Sequence, residues 1–262
     1  VFWLCFWNQL NQSIKFMNKS VTIDIWETII GEKDFSSFSK NRKEIKCHYA
    51  YDYLSKFSNK INYSKTVIAH DFIVKEIAKF SRFHSDRLFI DWLFIFIKKI
   101  DSNLLNKMNN EDILKLGDII DKAFLENPPE IFEGTHELIN FCRSKNLRIG
   151  IISNTGFNSP KVYREFFSIN NLFYNTISLS NELETAKPHS KIFLETLKNL
   201  ETAPENSIHF GDNPVADVLG ALNIGMDAVL ISKNNSKKPI NEKHIAIIDN
   251  IIFSNEVISS WI

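Results

Sequence analysis

A chain of 262 residues with 44% hydrophobic content can bury a substantial core, which excludes a disordered polypeptide. Its 31 basic and 31 acidic side chains cancel, leaving no net positive field to hold nucleic acid or an anionic membrane, so a small molecule or a protein is the expected partner. Three widely spaced cysteines, Cys5, Cys47 and Cys142, fit neither a disulfide framework nor metal-ligand spacing, and read as buried thiols in a reducing, cytoplasmic setting.

The apolar run "VFWLCFW" opens the chain without a basic flank or a small-residue cleavage site, so residues 1–19 read as an N-terminal extension rather than a signal peptide. That run and "LFIDWLFIFI", from Leu88 to Ile97, are both far short of the ~20 residues of a membrane helix. Val21 to Asp24 reads as a buried strand, followed by a turn segment to about Phe35. From Ser36 to Leu125 apolar residues recur at i, i+3, i+4 and i+7 in "YAYDYLSKF", "TVIAHDFIVKEIAKF", "DRLFIDWLFIFIKKI" and "EDILKLGDIIDKAFL", which predicts about four helices. The two prolines of "ENPPEIFEGT" end that block.

Beyond Pro129, helices alternate with the short apolar runs "LRIGIIS", "YNTISLS", "SIHFG" and "DAVLI", and a last strand and helix follow from Ile245. This pattern predicts an α/β fold with a parallel sheet covered on both faces. The first strand has no other partner, so it joins that sheet. The expected organisation is a discontinuous core, residues 20–35 and 127–262, interrupted by an all-helical domain at 36–126. Ser236 to His244 reads as a solvated loop.

Open parallel sheets bind ligands beyond the carboxyl ends of their strands. Those ends supply Asp24, Ser153 and Asn154, and Asp212 with Asp217 one turn further on; Lys187 lies in the loop ahead of "SIHFG". Each alone has an ordinary structural explanation, as a cap, a turn or a surface residue. Together they provide a nucleophile, a hydroxyl, a cation and metal-grade carboxylates at one edge, which phosphoryl transfer to an aspartate requires.

These residues fall in four ordered motifs, "DIWET", "ISNTG", "KP" and "GDNPVAD", and on them the chain resembles the haloacid dehalogenase superfamily. The resemblance implies a Rossmann-like sheet of order 5-4-1-2-3, with a helical cap inserted after the first motif and a second hinge at 127–129. It implies that Asp24 attacks to form an aspartyl intermediate, and that Mg²⁺ is held by Asp24, the Trp26 backbone carbonyl and Asp212, with Asp217 nearby. Ser153 and the Asn154 backbone N–H would grip the transferring group, Lys187 would neutralise charge, and Thr28 would position the turn after the nucleophile. The expected substrate is a small phosphorylated metabolite, and the expected assembly a monomer or homodimer.

One position departs from the family's phosphatases, which usually carry a second aspartate two residues after the nucleophile as general acid. Here it is Trp26, which cannot transfer a proton usefully. Three readings follow: a phosphatase with weak acid assistance, a 2-haloacid dehalogenase, or a decayed, non-catalytic binding site. Alternation in an extended segment directs Glu27 away from the site. A dehalogenase would need a cap arginine for the substrate carboxylate, with Arg42, Arg82 and Arg87 as candidates. His48, His70, His84, His189 and His209 read as structural. Trp92 reads as part of the helical block's own core, with a dimer face or the pocket as alternatives.

Overall fold

The computed structural model describes residues 18–32, 38–232 and 245–262. The N-terminal run with Cys5, and the loop expected at Ser236 to His244, lie outside the described residues. Strand β1 (Ser20–Ile23) is followed by β2 (Ile30–Gly31) and four helices, α1 (Phe38–Leu54), α2 (Tyr63–Arg82), α3 (Phe89–Ile100) and α4 (Asn110–Glu126). The chain then alternates: β3 (Glu130–Ile131), α5 (Thr135–Ser144), β4 (Arg148–Ser153), α6 (Pro160–Ile169), β5 (Thr176–Leu179), α7 (Ser190–Leu200) and β6 (Ser207–Gly211). It ends with β7 (Asp227–Ile231), β8 (Ile245–Ile248) and α8 (Ser254–Trp261).

The main sheet is fully parallel, in the order β5-β4-β1-β6-β7-β8. The five strands from β5 to β7 have the expected arrangement. The difference is β8, which extends the sheet beyond β7. Strand order reverses at β1, and this reversal leaves a crevice at the carboxyl ends of β1 and its neighbours. Isoleucines, valines and leucines on both strand faces feed two clusters. One joins Val21 and Ile23 to Leu138, Ile139 and Cys142 of α5 and to Val162, Tyr163, Phe166 and Phe167 of α6. The other joins Ile152 to Ile192, Phe193 and Leu197 of α7. Burial on both sides is why these strands read as near-continuous apolar runs.

The four helices form a separate apolar cluster built on Ala50, Ile73, Trp92, Phe96, Leu116 and Ile120, with Phe157 of the β4–α6 loop inserted into it. Trp92 is fully buried there, so it lies in the helices' own core and on no exposed face. Asn109 and Asp112 form a reciprocal capping box at the start of α4, and Asn62 caps α2.

Two short features carried no sequence signal. Strands β2 and β3 pair antiparallel through Ile30–Ile131 and Gly31–Glu130, joining the two ends of the helical segment. Two-residue strands are too short for any periodicity. The helix expected from Val215 to Leu222 begins instead as a wider π-type turn over Pro214–Leu219 and becomes α-helical only at Gly220. Cys47 and Cys142 are free and buried, and burial pushes their thiols up to about 11 and about 12, so neither is a thiolate.

Candidate active site

Asp24 is the first residue after β1, its backbone N–H donating to the Phe210 carbonyl of β6 at 2.9 Å. Asp212 directly follows β6, and Ser153 ends β4. Parallel pairing on both sides of β1 therefore brings three residues from distant parts of the chain to one edge. Asp217 comes from the π-type turn. Gly211 is required here, because a Cβ on it would lie 2.2 Å from the Asp217 Cγ.

Lys187 enters between the carboxylates. Its Nζ lies 2.6 Å from Asp24 Oδ1 and 2.6 Å from Asp217 Oδ1, and donates to the Ile152 carbonyl at 2.8 Å. All three charged groups are buried. The Asn154 side chain holds the Lys187 peptide from both directions: its Oδ1 accepts from the Lys187 N–H at 2.7 Å, and its Nδ2 donates to the Lys187 carbonyl at 3.0 Å. Thr28 Oγ1 lies 3.5 Å from Asp24 Oδ2. Ser153 is buried at the end of β4, and among the described residues its hydroxyl makes a long 3.5 Å contact with the Asn154 carbonyl.

The electrostatics divide the carboxylates. Burial pushes the Asp24 carboxyl up to about 6 against the pull of Lys187, with Asp217 adding repulsion. Burial and then the charge of Asp217 push Asp212 up to about 6 as well. Asp217 goes the other way: burial would raise it, but Lys187 and His209 together hold it well below the usual carboxylate range. Lys187 is raised because the two carboxylates outweigh its own desolvation.

Carboxylate oxygens of Asp24, Asp212 and Asp217 lie within 4.8 Å of one another. Three carboxylates face one ammonium, and two of them are held with raised pKa values. Oxygen-only donors with uncompensated negative charge fit a hard divalent cation.

His209, expected as a satisfied core imidazole, has partners at both nitrogens. Nδ1 lies 2.8 Å from Thr22 Oγ1, and Nε2 lies 3.2 Å from Asp217 Oδ1. Burial lowers the ring's pKa, so it is neutral. A carboxylate only accepts, which assigns the proton to Nε2 and makes Nδ1 the acceptor of the Thr22 hydroxyl. The Asn213 N–H also donates to Asp217 Oδ2 at 2.9 Å. His209 and Thr22 thus orient a carboxylate of the site, a role that sequence reasoning missed. The available signal was their opposed register across β1 and β6.

The Trp26 indole N–H donates to the buried Tyr163 hydroxyl at 3.2 Å, and its ring meets Phe124 edge-on with centroids 6.1 Å apart. It ties the turn after the nucleophile to α4 and α6. Glu27 has a left-handed backbone, φ 53°, which breaks the extended alternation from which its direction was inferred. Its carboxylate is near enough to Asp212 to raise that group slightly.

None of the three candidate arginines approaches Asp24 in a described contact. Arg42 forms an ion pair with Glu32 at 2.5 Å and donates to the Asn127 carbonyl at 2.8 Å. Arg87 stacks on Phe80 and Trp92, and Arg82 is exposed. His84 is exposed, His48 stacks on Tyr63, and His189 accepts from the Lys191 N–H at the start of α7.

A family model described as "Haloacid dehalogenase-like hydrolase" matches residues 94–231, more than half of the chain, taking in Ser153, Asn154, Lys187, Asp212 and Asp217. The chain belongs to this family. Among the haloacid dehalogenase-like proteins, a glyceraldehyde 3-phosphate phosphatase from Methanothermobacter thermautotrophicus is 29% identical over 133 residues, 48% of this chain and 58% of that protein. The match thus spans little more than half the relative's length. A 2-haloacid dehalogenase structure from Pseudomonas syringae pv. Tomato superposes with a TM-score of 0.63 at 18% identity, covering 94% of this chain and all of the other. A HAD phosphatase structure from Thermococcus onnurineus gives 0.56 at 20% identity, covering 92% and 97%. At these identities the likeness is one of fold. Among the described residues no helix is long and apolar enough to cross a membrane.

Proposed function

We propose that the protein is a cytoplasmic, Mg²⁺-dependent phosphatase acting on a small phosphorylated metabolite through an aspartyl intermediate at Asp24. The observation that carries this reading is the acidic cluster of Asp24, Asp212 and Asp217 with Lys187 bridged between two of its members. A dehalogenase has no need of three converging carboxylates, and the cap arginine it would use is engaged elsewhere or exposed. The phosphatase named among the relatives supports the same choice.

In this reading Asp24, Asp212 and the Trp26 carbonyl would hold the ion, with Asp217 nearby. The bound ion would offset the carboxylates' mutual repulsion and the negative charge of the transferring phosphoryl group. Lys187 stabilises negative charge as it develops. Ser153 and the Asn154 backbone N–H orient the phosphoryl oxygens, and Asp24 attacks phosphorus. The helical segment 36–126 acts as a cap that excludes water from the closed site.

Trp26 then sets the leaving-group preference. An alkoxide needs a proton as it departs, whereas a phenolate or carboxylate departs without one, so aryl and acyl phosphates are turned over faster than alkyl esters. A general acid typically contributes about 10² to 10⁴-fold, and that is the expected spread. The test is turnover of alkyl, aryl and acyl phosphates with Mg²⁺, beside 2-haloacids with chelator. Phosphate release confined to the Mg²⁺ arm supports the phosphatase. Halide release with chelator supports dehalogenase chemistry, and no turnover with no Mg²⁺ binding leaves only a binding role.

A further inference from the structure

The turn between α2 and α3 touches the core at two places, and both lead to the candidate site. In the first, buried Asp86 accepts from the Ser180 hydroxyl at 2.6 Å. Ser180, in the short turn after β5, in turn accepts from the Thr155 N–H at 2.8 Å and contacts Thr155 Oγ1 at 3.1 Å. A hydroxyl has one proton. Because that proton goes to Asp86, the Ser180 oxygen is left to receive the Thr155 N–H.

Asp86 is itself aimed from the helical side. Its Oδ1 accepts from Trp92 Nε1 at 2.8 Å and from the Arg87 N–H at 2.7 Å, and Trp92 is anchored at the centre of the helical cluster. In the second place, the Ala186 N–H donates to the His84 carbonyl at 3.2 Å, and Ser85 bridges antiparallel to Thr185. Thr155 adjoins Asn154, the clamp on the Lys187 peptide, and Ala186 adjoins Lys187 itself. Residues 84–86 therefore hold, from outside the core, the two segments whose separation fixes where the Lys187 ammonium sits.

We propose that Asp86 is a positioning residue: through Ser180 it fixes the Thr155 segment, and with it Asn154 and Lys187, in the reactive arrangement only while the helical segment is docked. Displacements of about 1 Å at a reacting centre cost on the order of 10²-fold in rate, so an acceptor this far from Asp24 can still govern turnover. The inference accounts for a carboxylate buried at the seam with three donors and, among the described residues, no ion-pair partner.

The kinetic arm rests on the phosphatase reading and the exchange arm does not. Amide exchange at Thr155, and kcat and KM for p-nitrophenyl phosphate with Mg²⁺, are measured for Asp86→Ala, Ser180→Ala, the double variant and Thr66→Ala. Thr66 donates to the Cys47 and Tyr63 carbonyls within the helical segment, away from the seam. In Asp86→Ala the Thr155 amide exchanges about tenfold faster or more, and kcat falls about tenfold with KM within about twofold. The double variant is no worse than either single one. Thr66→Ala lowers Tm but leaves Thr155 exchange and kcat at wild-type values. If the alanine variant does not fold, Asp86→Asn, which keeps the side chain's shape, takes its place. Unchanged Thr155 exchange, unchanged kcat with faster exchange, or multiplicative losses in the double variant each overturn the proposal. A wild type that turns over no phosphate ester contradicts the phosphatase reading alone, and exchange then decides.

Discussion

The Lys187 ammonium stands 2.6 Å from Asp24 and 2.6 Å from Asp217, so one buried cation compensates both the proposed nucleophile and a carboxylate behind it. Removing that cation leaves two buried carboxylates facing each other. Lys187→Met therefore destabilises the metal-free protein by about 3 kcal/mol, the usual cost of orphaning a buried ion-pair partner. It also lowers kcat at least about 10²-fold, because the charge on the transferring group loses its stabiliser. Urea denaturation and steady-state kinetics check the two effects separately.

Asp212 predicts the opposite trade. Its carboxyl is pushed up to about 6 by burial and by Asp217, so the ionised form is disfavoured in the folded protein. The sign follows: between pH 3.8 and about 6 the folded state binds more protons than the unfolded one, and stability falls as pH rises through that window. At pH 7 the full penalty is present. Asp212→Asn should stabilise the metal-free protein by about 1 kcal/mol after solvent screening, while abolishing Mg²⁺ binding and turnover. Thermal denaturation with and without Mg²⁺, alongside titration calorimetry, tests both halves.

Trp26 spans two elements, and its replacement tests chemistry and packing together. Trp26→Asp loses the bond to Tyr163 and the edge contact with Phe124, at a cost of about 2 kcal/mol. If it supplies the missing acid, alkyl phosphate turnover rises relative to aryl phosphate by about 10²-fold. The ratio of the two kcat/KM values is the readout, and an unchanged ratio denies that position a role in leaving-group protonation.

His70 gives the helical segment an acid sensitivity. Burial, with Lys46 adding repulsion against the pull of Asp71, pushes its imidazole down to about 3; among the described residues its Nδ1 makes no hydrogen bond, the Asp71 carboxylate standing 3.8 Å away. The folded state keeps His70 neutral where the unfolded chain protonates it. Stability on its account is therefore complete above pH 6.5 and is lost as pH falls from 6.5 toward 3. His70→Phe should remove a loss on the order of a few kcal/mol across that window, read as a flatter dependence of Tm on pH.

Much of this arrangement was legible because it rests on long, strongly patterned segments. The apolar runs of β1, β4 and β6 could be read as doubly covered strands, and reading their ends leads to Asp24, Ser153 and Asp212. The helical block was equally plain from its periodicity. What stayed hidden depends on partners far away in the chain. Nothing near Trp26 indicates that its indole meets Tyr163, 137 residues on. Lys46 and Asp121 look like solvated charges on amphipathic helices, yet both are buried at the seam, Lys46 donating to the Phe157 carbonyl and Asp121 accepting from Ser159. At Glu27 a left-handed backbone, φ 53°, takes away the extended geometry on which the alternation rule rests, and no local sequence signal marks it. The strand pair β2–β3 and the Asp86 relay have no local signature, since each consists of a few hydrogen bonds between separate segments.

The central claim is that Asp24 carries the transferred phosphoryl group. The direct measurement is borohydride reduction of the enzyme during turnover of an acyl phosphate with Mg²⁺, followed by mass spectrometry of the peptide containing residue 24. The account predicts reduction of the aspartyl phosphate to homoserine at position 24, dependent on substrate and on Mg²⁺. Phosphate release at full rate with position 24 recovered only as aspartate, or undiminished release by Asp24→Asn, would contradict it.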